Sequence, residues 1–102
     1  MKWLDAEIDS FPVRASGEEL YEHIEKLAER AIKQNRESFV KTMMHWLLLR
    51  AEPKTMIAVE MAGKYELNEL KEELESLLSD VVRGRVFKPF YERVIRKSLA
   101  KI

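Results

Sequence analysis

Two histidines are the side chains of this 102-residue chain best suited by type to proton transfer or metal binding, because imidazole titrates near neutral pH and ligates metals through its unprotonated nitrogen. His23 follows Glu19 by one helical turn, and residues four apart share a helix face, so this pair could offer two ligands to a metal. A zinc site takes more ligands than that, and no neighbouring stretch repeats the pattern. His23 therefore reads as a surface histidine in an i,i+4 pair. His45 lies beside Trp46 in an apolar run, with Lys41 one turn earlier. A buried histidine there could serve as a general base with a shifted pKa, but a core or interface histidine bonded to a backbone carbonyl is the simpler reading.

The other routes to catalysis are poorly provided for. The chain has no cysteine, which removes thiol chemistry, disulfides and cysteine-based metal sites. Its three glycines are isolated, so no glycine-rich loop cradles a phosphate. None of Ser10, Ser16, Ser38, Ser76, Ser79 and Ser98 has the flanking glycines of a nucleophile elbow. No catalytic residue, cofactor, metal or small-molecule substrate is inferred, and the expectation is a non-enzymatic protein.

Two sets of residues are instead suited to binding. The first is apolar: Trp3, Phe11, Met43, Met44 and Trp46. Thioether side chains repack around varied partners, and so many large apolar groups in a small protein suggest a surface covered by a partner chain, most simply a second copy in a homodimer. The second set is basic. Arg83, Arg85, Lys88, Arg93, Arg96, Lys97 and Lys101 face only Glu92 in the last stretch of a chain whose net charge is zero. Phe87, Phe90 and Tyr91 interleave with them, a mixture able to contact phosphates and stack on unpaired bases. The same cations could meet an acidic protein surface, or simply solubilise a terminal helix and complement its dipole.

Those residues must be held by helices. No stretch alternates apolar and polar residues as a strand would, whereas spacings of three and four recur throughout. Residues 1–13 read as a short helix or an extended arm, ended by Phe11-Pro12. Ser16 with Glu19 forms a capping box, followed by the stripe Leu20, Tyr21, Ile24, Leu27, Ala28, Ala31 and Ile32. Asn35 with Ser38 could cap the next helix, Phe39 to Arg50, which is apolar nearly all round and so belongs at a centre or an interface. Glu52-Pro53 breaks it, a third segment runs to Gly63 as a C-cap, and Leu67, Leu70, Leu74, Leu77 and Val81 keep a packing rhythm up to Gly84. Past Pro89, a wheel at about 100° per residue puts Val94, Ile95, Leu99 and Ile102 with Tyr91 and Ser98 on one arc, and Arg93, Arg96, Lys97 and Lys101 on the other.

The expectation is an all-α protein, a compact antiparallel bundle or array of four to five helices in a single domain over 1–102, with the bundle proper over 16–102. Abundant Lys, Arg and Glu with few Asn and Gln is usage typical of proteins from hot environments. With neither a signal-like leader nor a long apolar run, the chain is expected to be cytoplasmic and not to enter a membrane. Its expected role is a protein-interaction module that self-associates through the 1–13 arm and the 39–50 helix; the alternative is nucleic-acid binding through the basic helix at 88–101.

Overall fold

The computed structural model describes residues 1–12 and 16–102; Val13, at the end of the expected arm, and Arg14 lie outside the described residues. The protein is all-α. Six α-helices are found among the described residues, with no strand: α1 (Lys2–Asp9), α2 (Gly17–Gln34), α3 (Arg36–Leu49), α4 (Lys54–Lys64), α5 (Lys71–Val82) and α6 (Tyr91–Leu99), with one 3-10 turn at Asn68–Leu70 before α5. The count exceeds the expected four or five because the N-terminal segment is a helix, not an extended arm. Chain contacts divide the residues into two compact units, Met1–Thr42 and Met43–Ile102, and α3 contributes to each.

In the first unit α1 packs on α2. Leu4 and Ile8 of α1, Ile24, Ala28 and Ala31 of α2, and Phe39 of α3 are buried. The α2 residues recur at steps of three and four, so the stripe read from the sequence is the face the unit conceals. Ser16 caps α2: its Oγ accepts from the Glu19 N–H at 3.1 Å. Asn35 is the single residue between α2 and α3, and its Oδ1 accepts from the Ser38 N–H at 3.0 Å. One asparagine thus ends one helix and caps the next.

In the second unit Met43, Trp46 and Leu47 of α3 are wholly buried, as are Leu67, Leu70, Leu74 and Leu77; Val81 is nearly so. Thr55 stitches the α3–α4 connection from inside. Its hydroxyl donates to the Trp46 carbonyl at 2.7 Å and accepts from the Ala51 N–H at 2.9 Å, which satisfies two backbone groups freed where α3 stops. Helix α6 packs against both α4 and α5.

Two helix ends in this unit share one mechanism. After α5, Gly84 adopts φ 72°, the Gly84 N–H bonds the Val81 carbonyl at 3.0 Å and the Arg85 N–H bonds the Asp80 carbonyl at 2.9 Å. That pair of bonds is a Schellman motif, with glycine where the left-handed backbone favours it. After α4 the same motif forms with Glu66 in the left-handed position, φ 50°, and the Leu67 N–H bonding the Ala62 carbonyl at 2.9 Å. Gly63 is therefore not the C-cap the sequence suggested. It lies inside α4, and a Cβ built on it would stand 2.8 Å from Ser98 Oγ and 3.0 Å from Ser98 Cα. Glycine is required there because α6 crosses α4 at backbone distance.

Candidate functional site

The α4–α6 contact decides which face of α6 reaches solvent. With Gly63 against Ser98, the Ser98 side of the helix turns inward: Ile95 and Ser98 are buried, and Tyr91, Val94, Leu99 and Ile102 are half-buried. The cations take the remaining arc, so Arg93, Arg96, Lys97 and Lys101 are all exposed, as are Arg83, Arg85 and Lys88 in the α5–α6 connection. Two of the seven have anionic neighbours. Arg96 Nε lies 3.3 Å from Glu92 one turn earlier, and Arg85 lies 3.9 Å from Asp80. Among the described residues Arg83, Lys88, Arg93, Lys97 and Lys101 form no ion pair.

Two carboxylates of α5, Glu73 and Asp80, are engaged by a different cation. Arg50, the residue after α3, places its guanidinium 2.9 Å from Glu73 Oε1 and 3.3 Å from Asp80 Oδ2, donates to the Leu47 carbonyl at 2.9 Å and reaches Ser76 Oγ at 3.3 Å. The positions Glu73, Ser76 and Asp80, spaced by three and four, present one face of α5 to this fork. At φ 49° Arg50 also occupies the left-handed region, a conformation with a real energetic cost for a side chain with Cβ. The ion pairs hold it there and lock the end of α3 to α5.

Beside this clamp opens a cleft of about 430 Å³, walled by Arg50 and Glu52 of the α3–α4 connection and by Phe87, Lys88, Phe90 and Tyr91 of the approach to α6. Phe87 is a second left-handed residue, φ 55°. The three rings form a cluster: Phe90 and Tyr91 centroids are 4.4 Å apart at 31°, and Phe87 meets Tyr91 edge-on at 5.4 Å. Phe90 is 62% exposed, and it also lines a neighbouring cleft with Arg93. The sequence placed these aromatics among the bases, but it gave no sign that Arg50 and Glu52 would face them.

The apolar candidates are dispersed. Met43 and Trp46 are wholly buried, so neither offers surface to a partner, and Met44 is half-buried. Trp3 is half-buried with the Arg30 guanidinium 5.9 Å from its ring. Phe11 stacks on His23 at 5.1 Å. Among the described residues the exposed large apolar side chains are others, Leu48, Leu49, Val82 and Phe90, and no helical periodicity singles them out.

Neither histidine is where its sequence neighbours implied. His23 Nε2 lies 3.0 Å from Glu7 Oε2 of α1, so its partner is a residue on another helix and not Glu19. His45 is exposed, because at about 100° per residue it falls on the side of α3 opposite the buried Met43 and Leu47. Among the described residues no cluster of His, Asp and Glu could hold a metal ion, and no helix is long and apolar enough to cross a membrane. Compared with family models, with curated proteins and with solved structures, the chain matches none.

Proposed function

We propose that the Met43–Ile102 unit is a binding module for single-stranded nucleic acid, with the basic arc of α6 taking the phosphates. The observation that carries this reading is the set of five exposed cations without ion pairs next to an exposed aromatic cluster. Cations along a groove with aromatic platforms beside them suit a flexible strand, whose bases are free to unstack from one another. Arg93 and Lys97 are one turn apart on α6 and Lys101 follows in the turn just past its C-cap, a row that tracks a backbone of regularly spaced charges. No group in this surface is arranged to break a bond, and the module is read as a binder and not a catalyst.

Fluorescence anisotropy with a fluorescein-labelled oligodeoxythymidylate of about 20 nucleotides tests it, since a site of this kind covers fewer nucleotides than that. At low salt the wild-type chain is expected to bind, and the Arg93→Ala/Lys97→Ala/Lys101→Ala variant to bind at least about tenfold more weakly. Equal binding by both proteins would sink the reading.

A second reading has its own observation. Leu48 and Leu49 are 57% and 44% exposed and Val82 is 55% exposed, in chain segments that the Arg50 ion pairs bring together. Adjacent exposed leucines are the kind of surface that self-association covers. Sedimentation equilibrium decides it: a dimer converted to monomer by Leu48→Glu/Leu49→Glu supports a homodimer, and a wild-type monomer at high concentration removes it.

A further inference from the structure

We infer that the cleft between Arg50–Glu52 and Phe87–Tyr91 is a subsite for one unpaired nucleobase carrying an exocyclic amino group, with Phe90 as its stacking platform and Glu52 as its acceptor. The inference rests on the nucleic-acid reading above and names what the cleft adds to it.

The charges of the cleft show why a base fits it better than a phosphate. Arg50 lines the cleft, but its guanidinium is engaged by Glu73, Asp80, Ser76 and the Leu47 carbonyl. That leaves Lys88 and Glu52, both exposed and, among the described residues, without an ion pair. One cation and one carboxylate make a poor anion site. They make a good frame for a neutral heterocycle: a carboxylate accepts hydrogen bonds from an amino group such as cytosine N4, and the ammonium meets the phosphate on that nucleotide. The rings supply the third requirement. Tyr91 lies against Phe90 at 4.4 Å, while Phe90 keeps 62% of its surface open to solvent, so a ring face remains for a base. A base stacked on that face would remove its apolar surface from water.

The backbone supports the same assignment. Arg50 at φ 49° and Phe87 at φ 55° stand on the two walls of this one cleft. Left-handed backbone at bulky side chains is uncommon and persists only where the surrounding structure over-determines it. Here the Arg50 clamp fixes one wall, and the Phe87–Tyr91 contact fixes the other. The cleft is thereby preorganised before a ligand arrives, which lowers the ordering cost of binding. Phe90 also borders the surface that contains Arg93, so a base on its ring places the adjoining phosphates within reach of the α6 row.

The experiment measures binding of the full chain to labelled oligodeoxycytidylate, oligodeoxythymidylate and oligodeoxyuridylate of about 10 nucleotides; cytosine carries the amino group where the other two carry a carbonyl, and uracil controls for the thymine methyl. Wild type is expected to favour the cytidine strand over the other two by about fivefold. Phe90→Ala and Phe90→Leu should each weaken all three strands by about tenfold, and Phe90→Trp should restore binding, because the platform is a π face and not mere apolar bulk. Glu52→Ala should bring the affinities together. Phe90 and Glu52 are exposed, so these variants should keep the wild-type helical circular dichroism. If Phe90→Ala binds as wild type does while the Arg93/Lys97/Lys101 variant loses binding, the subsite is overturned and the nucleic-acid reading stands. A wild-type strand preference absent from the start, or unchanged in Glu52→Ala, overturns the amino-group assignment. Failure of wild type to bind any of the strands overturns the nucleic-acid reading itself, and the subsite with it.

Discussion

At the scale of single residues, Arg50 does more than any other side chain to set the geometry of the second unit. It accepts a left-handed backbone, closes α3 by donating to the Leu47 carbonyl, and joins α3 to two carboxylates of α5. Its side chain is only 20% exposed, so these bonds are partly shielded from water and worth more than surface pairs. Arg50→Ala leaves Glu73 without its cation and Asp80 with only the more distant Arg85, and is expected to cost about 2 to 3 kcal/mol in urea unfolding. Arg50→Lys, which offers a point charge without the planar fork, should lose about half as much. An unchanged unfolding midpoint in Arg50→Ala would show that the clamp holds nothing. None of this was readable from the sequence, where Arg50 was the polar end of an apolar helix and its partners stood far along the chain. His23 gives the same lesson on a smaller scale. The sequence offered Glu19 on its own helix, and the structure supplies Glu7 from another.

At the scale of helices, the sequence was most informative wherever a helix reports on itself. Ser16 and Asn35 cap their own chain neighbours, and the leucines from Leu67 to Leu77 mark a face whatever lies opposite. It was least informative where two helices meet. Gly63 resembled a C-cap because glycine commonly is one, but the position is fixed by Ser98 of α6 at backbone distance. Gly63→Ala is accordingly expected to destabilise the protein by about 1 to 3 kcal/mol through overpacking. Ser98→Ala should not rescue it, because Ser98 Cα and Cβ remain at 3.0 Å. Thermal unfolding of both variants checks this, and a fully rescued double variant would contradict the close crossing. The actual left-handed cap of α4 is Glu66. Glu66→Gly relieves its backbone while keeping the Schellman bonds and should raise stability by about 0.5 to 1 kcal/mol, a gain that the same unfolding curves would show.

At the scale of the whole molecule, a net charge of zero conceals an uneven distribution. The α5 carboxylates Glu73 and Asp80 face Arg50, and Glu92 faces Arg96, which leaves the rest of the basic arc without partners of its own among the described residues. The amphipathic character of α6 was legible, since its apolar positions specify its orientation and its cations follow from that. The cleft was not legible, because it joins the α3–α4 and α5–α6 connections, and neither has a periodicity to read. The burial of Met43 and Trp46, expected at an interface, was not legible for a related reason: in a segment apolar nearly all round, sequence does not distinguish core from surface.

The central claim is that the α6 cations meet phosphates, and the measurement that tests it most directly is the salt dependence of oligodeoxythymidylate binding by the wild-type chain and by the Arg93→Ala/Lys97→Ala/Lys101→Ala variant. Neutralising about three phosphates of a single strand gives a slope near −2 in a plot of log affinity against log salt. Wild type is expected to show at least that slope, and the variant to lose about that much of it, keeping only the small remainder due to Lys88 and its neighbours, with weaker binding throughout. A wild-type affinity indifferent to salt, or a slope the variant retains in full, would contradict the account.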